Sequence, residues 1–255
     1  MLIILITFIV FVACLVQTIF GFGSALIAMP LIAMLIPFGE TVPIISLISC
    51  ILSVLILIPI VKEIQLKSVG MLIAGSAVGI PIGAYAFKLI LLQSNEIKLM
   101  SENIFGLILG LMIIMFSIYQ LKKPKLIEIK SNILAVPTGI IAGTLGGLFN
   151  TNGPPVVIYG VLKRWDPNQF RASLQAYFVI SSYYIAANHY LQGVWSANVI
   201  RTAAYSIPSV ILAVIAGFYL GKKIPAEKFS YIIYIVLIIV GLIYCGKSAA
   251  YLLQN

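Results

Sequence analysis

The chain has 255 residues, of which 62% are hydrophobic and only 9% are Asp, Glu, Lys or Arg, and its mean hydropathy is +1.13. A soluble domain carries about 25% charged residues, so this composition excludes a soluble globular protein and indicates that lipid covers much of the surface. The net charge of +9 would suggest nucleic acid in a soluble protein, but in a membrane protein basic residues collect in cytoplasmic loops. We therefore expect contact with a lipid bilayer and no nucleic-acid partner.

Apolar runs separated by charges, glycines and prolines predict an all-α polytopic membrane protein. The ten predicted helical segments lie at about 1–20, 24–37, 42–61, 68–92, 102–121, 131–148, 153–163, 168–190, 197–221 and 228–252. Segments 24–37 and 153–163 are too short to cross about 30 Å of hydrocarbon as straight helices. Each follows a glycine-containing break, which is tolerated only where protein or a cavity receives the freed backbone groups.

The two breaks also indicate an internal duplication. Gly21 stands nine residues before Pro30, and Gly146 stands nine residues before Pro155, so the two stretches align. The predicted domains are a first transmembrane repeat, a cytoplasmic linker and a second transmembrane repeat, at residues 1–121, 122–130 and 131–255. About five segments per half predict inverted repeats with broken or re-entrant short helices at the pseudo-two-fold centre. The alternative is a parallel duplication with eight spans.

The basic residues indicate how the chain is oriented. If the first pair of segments in each half returns to its starting side, 12 of the 16 basic residues fall on one side and 4 on the other. If each pair is instead one bent crossing, the split is 8 to 8. The positive-inside rule favours the first arrangement. It predicts a multi-pass protein of a bacterial-type inner membrane, with both termini on the outer face.

The breaks are the strongest candidates for a substrate site. A break exposes helix-terminal N–H groups, which carry partial positive charge and bind anions. Polar side chains in so apolar a chain also need partners or a wet cavity. The predicted substrate-binding residues are Thr18, Gly21, Gly23, Ser24, Asn150, Thr151, Asn152, Gly153, Arg171 and Gln175. The alternative is that the glycines only permit tight helix crossings and the amides only tie the breaks together.

The segment after the second break begins with a helix-capping pattern, in which Asp166 is the expected N-cap and Pro167 takes the first helical position. Four of its residues share one face at helical spacing: Arg171, Gln175, Phe178 and Ser182. Arg171 could attract an anion at the cytoplasmic mouth. It could equally be an anchor at the membrane interface or a partner of Asp166.

Other chemistry has little support in the sequence. His189 is the only histidine, and we expect it to be solvated at an outer helix end. Neither an acid nor a cysteine stands at metal-ligand spacing from it, so no metal or other cofactor is expected. A hydrolase that used Ser24 with His189 would lack an acid to orient the base, so the chain is not expected to be an enzyme.

Three motifs resemble those of the sulfite exporter TauE/SafE family of permeases. They are the stretch from Gly21–Ser24 to Pro30-Leu31, the Gly153–Val157 stretch and the Phe170–Gln175 run. The resemblance covers the whole chain. It departs at Phe149–Asn152, where many relatives have a more glycine-rich run. The family implies export of sulfite, organosulfonates or other small sulfur oxyanions.

Taken together, these patterns predict a secondary transporter that exports a small anion, favouring sulfite, an organosulfonate or another sulfur oxyanion, across the inner membrane. The inside-negative membrane potential would drive a monovalent anion outward. A channel-like anion pore and a transporter of a small carboxylate remain alternatives. The expected partners are the small anionic substrate, the lipid bilayer and a second copy of the chain in a homodimer.

Overall fold

The computed structural model describes residues 1–122, 128–223 and 226–254, and this described part contains ten α-helices and no strand. The helices are α1 (Leu2–Phe20), α2 (Ser24–Ala33), α3 (Phe38–Leu57), α4 (Leu66–Leu91), α5 (Asn95–Lys122), α6 (Ala135–Phe149), α7 (Gly153–Leu162), α8 (Pro167–Leu191), α9 (Ala197–Leu220) and α10 (Ala226–Gln254). A 3₁₀ turn at Ile58–Glu63 extends α3. The predicted all-α class and its ten segments are confirmed. Residues 123–127 of the predicted linker lie outside the described residues.

Length and composition divide the helices into two groups. In the described part of the chain, six stretches are long and apolar enough to span a bilayer: Leu2–Phe20, Phe38–Glu63, Leu66–Leu91, Glu96–Lys122, Ala197–Leu220 and Tyr231–Gln254. Helix α8 is equally long but carries many polar residues, and it packs inside the bundle against α3 and α4. At 1.5 Å per residue, α2, α6 and α7 fall short of about 30 Å. The chain is a multi-pass membrane protein.

Helices α6 and α7 leave one end of the bundle and return to it. The N–H of Ile129, before α6, donates to the carbonyl of Leu162 at the end of α7 at 2.9 Å. Lys163 Nζ, just after α7, donates to the carbonyl of Lys130 at 2.7 Å. These bonds fit the predicted pair that returns to its starting side, and they contradict one bent crossing in the second half.

Helices α4 and α6 cross with their backbones in contact. Three glycines on each helix, spaced by four residues, form the contact: Gly75, Gly79, Gly83, Gly139, Gly143 and Gly147. A Cβ at Gly79 would collide with the carbonyl oxygen of Ile140. Ser76 Oγ donates to the carbonyl of Gly139 at 2.9 Å across the same crossing. Small residues at this spacing let membrane helices approach closely, where dispersion and hydrogen bonds hold them together.

Helix contacts repeat between the two halves. Helices α1–α5 of the first half correspond in order to α6–α10 of the second, so α4 and α9 are counterparts. Helix α4 packs on α6, and α9 packs on α1, which is the counterpart of α6. Helix α3 packs on α9, and its counterpart α8 packs on α4. The pairs α3–α8 and α5–α10 each join a helix to its own counterpart. Exchange of the two halves therefore preserves the packing pattern, as an internal duplication requires.

The predicted alignment of the two breaks is wrong in register. Gly21 and Asn150 both end their helices in the left-handed conformation, with φ of 86° and 56°. Each donates its N–H to the carbonyl four residues earlier, at 2.7 Å. Gly21 therefore corresponds to Asn150, not to Gly146. Asn is the residue besides Gly that most readily takes this position, so matching glycine to glycine misplaced the register.

The glycine crossing yields a stability prediction. Gly79→Ala should lower the Tm of the purified protein by several degrees, because a new Cβ would force α4 and α6 apart along their contact. Gly70→Ala is the matched control in the same helix, since a Cβ there meets nothing within 4 Å. It should leave the Tm unchanged or slightly raised, because Ala favours a helix by about 1 kcal/mol over Gly. Equal Tm values for the two variants would contradict the close crossing.

Candidate functional site

The two breaks face one small cavity halfway along the bundle. Its walls are Gly23–Leu26 at the start of α2, Asn150–Gly153 in the second break, and four residues from α1, α3 and α8: Gln17, Ser49, Phe178 and Ser182. Phe178 and Ser182 lie near the middle of α8, and Ser49 lies near the middle of the Phe38–Glu63 span. The cavity volume is about 20 Å³, which is room for about one water molecule.

Side chains of α1 and α8 satisfy the backbone groups that the first break frees. Gln175 Nε2 donates to the carbonyl of Gly21 at 2.6 Å. Gln17 Nε2 donates to Gln175 Oε1 at 3.3 Å. Gln17 Oε1 accepts from both the N–H and the hydroxyl of Ser24. Both glutamines and Ser24 are buried, so these bonds replace the water that a break in a soluble protein would use.

The second break is tied to α3 and α8. Asn150 Nδ2 donates to Ser49 Oγ at 3.1 Å, and Asn152 Nδ2 donates to Ser181 Oγ at 2.8 Å. Between them, Thr151 is 1% exposed and its hydroxyl oxygen has no hydrogen-bond partner in the structure. An unpaired buried hydroxyl is unfavourable, and this one belongs to a residue of the cavity wall. A polar ligand in the cavity would supply the missing partner.

The start of α2 supplies the cavity's backbone donors. Ile27 is the first residue of α2 whose N–H bonds a helix carbonyl, that of Gly23, so the N–H groups of Ala25 and Leu26 precede the helical ladder. Gly23 permits this start because its φ is 111°, which other residues rarely adopt. Helix α7 offers fewer donors, because Pro154 and Pro155 have no N–H. The positive end of α2 is therefore the principal feature that favours an anion.

Six of the ten predicted site residues come together around the cavity: Gly23, Ser24, Asn150, Thr151, Asn152 and Gly153. The other four are not part of the cavity wall. Gly21 and Gln175 belong to the hydrogen-bond chain of the first break. Thr18 directs its hydroxyl to the carbonyl of Cys14 in its own helix, at 2.8 Å.

Arg171 caps the end of α1 from its position on α8. Its Nη2 donates to the carbonyl of Thr18 at 2.7 Å, and its side chain is half-buried against Gly21. Asp166 is occupied as the N-cap of α8, where it accepts from the N–H groups of Asn168 and Gln169. Asp166 is thus engaged with its own helix and not with Arg171, and the anion-attracting and interfacial roles of Arg171 stay predictions.

Sequence reasoning missed Gln17 and Ser49 as residues of the cavity wall. Gln17 stands one turn before Gly21, in a stretch where only Thr18 was selected. Ser49 corresponds to Phe178 once Gly21 is matched with Asn150, and in that register Ser46 matches Gln175. The wrong register concealed this relation.

His189 is buried, which corrects the expectation of a solvated side chain. It is 0% exposed, and its ring lies 5.2 Å from that of Phe87. Its Nε2 bonds the carbonyl of Gly147 at 3.1 Å. The α4–α6 pair covers this end of α8, so a position near a helix end in sequence is interior in space. Ser24 instead bonds Gln17, so the two residues do not form a hydrogen-bonded nucleophile–base pair.

The hydrogen-bond chain of the first break can be tested by stability. Gln175→Leu should lower the Tm clearly, because it leaves the Gly21 carbonyl and Gln17 Nε2 buried without partners, at about 1–3 kcal/mol for each group. Gln93→Leu is the matched control, since Gln93 is exposed and its side-chain oxygen accepts a hydrogen bond from the Ser101 hydroxyl at the protein surface. A Gln175→Leu variant as stable as Gln93→Leu would show that the hydrogen bonds of Gln175 and Gln17 do not stabilise the first break.

Comparisons with known proteins agree with this architecture. The family model described as "Sulfite exporter TauE/SafE" matches residues 6–244. A protein of Cupriavidus necator named "Probable sulfite/organosulfonate exporter TauE" is 25% identical over 212 residues, which cover 82% of this chain and 78% of that protein. No solved structure matches the chain. Since the family match extends from α1 to α10 and includes both breaks, the chain belongs to the sulfite exporter TauE/SafE family.

Proposed function

We propose that the chain is a secondary transporter that exports a small sulfur oxyanion, such as sulfite or an organosulfonate, across the bacterial inner membrane. Family membership and the name of the Cupriavidus relative support the substrate class. The proposal depends on one structural observation: the start of α2 and the unpaired Thr151 hydroxyl belong to one small cavity in the middle of a membrane-spanning bundle.

The cavity has what a small oxyanion needs. The N–H groups of Ala25 and Leu26 carry the partial positive charge of a helix N-terminus. The Thr151 hydroxyl can donate a further hydrogen bond. Inside a membrane-spanning bundle these donors act in a lower dielectric than in water, so their hydrogen bonds are stronger than in solution. Neutral donors also bind an anion less tightly than a buried lysine or arginine would, which favours release on the far side.

An inverted relation of the two halves fits alternating access. The last turn of α1 contacts the beginning of α8, through Thr18 and Arg171. The last turn of α6 contacts the other end of α8, through Gly147 and His189. Corresponding helices thus approach opposite ends of one central helix, as inverted repeats require. We propose that rocking of the halves opens the cavity to each side in turn.

A carrier fits the cavity better than the channel-like alternative. A channel needs a continuous path wide enough for the ion, whereas a cavity of about 20 Å³ must widen before it admits an oxyanion. The potential alone can drive export, at about 2.3 kcal/mol per monovalent anion per 100 mV. Basic residues at the end where α6 begins and α7 ends, including Lys130 and Lys163, would raise the anion concentration there if that end is cytoplasmic.

A variant that lacks the Thr151 hydroxyl distinguishes an effect on anion affinity from an effect on protein stability. Thr151→Val should lower sulfite affinity by about 10-fold to 100-fold, the value of a hydrogen bond to a charged group, while the Tm without ligand stays unchanged or rises, because the hydroxyl has no partner in the ligand-free protein. Calorimetric titration of the protein in nanodiscs measures the affinity. Thr144→Val is the matched control, because that hydroxyl bonds the Ile140 carbonyl in its own helix, at 2.9 Å and away from the cavity. Unchanged affinity in Thr151→Val would remove Thr151 from the site.

Transport in proteoliposomes tests the function itself. Radiolabelled sulfite should accumulate in vesicles preloaded with unlabelled sulfite, and uptake should saturate, because a carrier exchanges substrate one for one. Linear, unsaturated flux without counterflow would favour a channel. Counterflow of acetate or another small carboxylate, with none for sulfite, would replace the substrate class but leave the carrier mechanism standing.

A further inference from the structure

We infer that the site selects a monovalent anion that carries its own hydrogen-bond donor, such as hydrogensulfite with its O–H. The inference rests on the proposed function and specifies the form of the substrate that the same cavity takes. It follows from the direction of the hydrogen bonds around Ser24.

The hydrogen-bond chain of the first break runs from the Gly21 carbonyl through Gln175 and Gln17 to Ser24, and the backbone groups at its two ends fix its direction. The carbonyl of Gly21 can only accept, so the group of Gln175 that faces it must be the amide nitrogen, at 2.6 Å. Gln175 Oε1 is then left to accept from Gln17 Nε2, at 3.3 Å. The N–H of Ser24 can only donate, and it points to Gln17 Oε1 at 3.3 Å. Reversal of either amide would place two donors or two acceptors face to face.

The hydroxyl proton of Ser24 is therefore already committed. Ser24 Oγ contacts Gln17 Oε1, a pure acceptor in this arrangement, so the hydroxyl must donate to it. Ser24 is a residue of the cavity wall, and towards the cavity its oxygen has only lone pairs to offer. A fully deprotonated oxyanion would meet these lone pairs with its own and be repelled. An anion with an O–H or N–H group would instead donate to them.

The amides of the second break add acceptors to the cavity wall as well as donors. Asn150 and Asn152 each use one N–H of Nδ2, on Ser49 and on Ser181. Each amide keeps its carbonyl oxygen, which accepts, and a second N–H, which donates. The cavity wall thus combines donors for anionic oxygens, at the start of α2 and at Thr151, with acceptors for a ligand proton. Sulfate, a divalent anion without a donor, matches this wall poorly.

Two ligands of nearly equal size test the inference on the unmodified protein. At about pH 6 methylphosphonate is largely a monoanion with one O–H, and methanesulfonate is a monoanion without one. Calorimetric titration in nanodiscs should show methylphosphonate binding about tenfold tighter, the value of one good hydrogen bond. At high pH methylphosphonate loses its proton and should lose this advantage. Methanesulfonate keeps its charge at both pH values and so reports any change in the protein.

Variants of Ser24 and Gln17 test whether the Ser24 hydroxyl causes the preference for methylphosphonate over methanesulfonate. Ser24→Ala should reduce methylphosphonate binding to the level of methanesulfonate, and Ser24→Thr, which keeps a hydroxyl, should restore the difference. Gln17→Met should release the Ser24 proton and improve methanesulfonate binding. Equal affinities in the unmodified protein would overturn the inference and leave the anion site in place. A preference that survives in Ser24→Ala would also overturn it. Binding of neither anion, nor of sulfite, would overturn the proposed function as well.

Discussion

The constraint on which this structure depends is that a backbone broken inside a membrane must find its hydrogen-bond partners within the protein. The first break leaves the carbonyl of Gly21 and the N–H of Ser24 outside any helical ladder, and Gln175 and Gln17 receive them. The same requirement fixes which atom of each side chain faces the cavity. The chemistry of the site is therefore set partly by the need to stabilise the break, and a substrate meets only the groups that remain uncommitted.

Close helix packing makes room for such a site in a chain of 255 residues. Helices α4 and α6 touch through their backbones because glycine faces glycine along the crossing, so this interface needs few side chains. A hydrogen-bond path links the crossing to the centre of the bundle: the Gly139 carbonyl accepts from Ser76, which lies 2.8 Å from the hydroxyl of Tyr177. Tyr177 is one residue from Phe178 of the cavity wall, so movement of the α4–α6 pair can reach the site.

The sequence predicts the helices well because hydrophobic length is nearly all that a bilayer requires of them, and both breaks are marked by glycine, proline and amide residues. It predicts the site less completely. Register failed because Asn150 takes the role that glycine takes at position 21, which residue identity cannot reveal. The burial of His189 and the contact of Arg171 with α1 were not predicted, because their partners, the carbonyls of Gly147 and Thr18, are backbone atoms of distant helices. Such contacts leave no trace in composition or periodicity.

The most direct test of the central claim is to locate the bound anion. Selenite is the heavier analogue of sulfite, and its selenium can be found by anomalous diffraction from crystals of the protein grown or soaked with it. The account predicts one principal peak between the two breaks, within hydrogen-bonding reach of the start of α2 and of the Thr151 hydroxyl. A peak elsewhere, for example only among the lysines at the ends of the bundle, would contradict the claim that the two breaks together form the anion site.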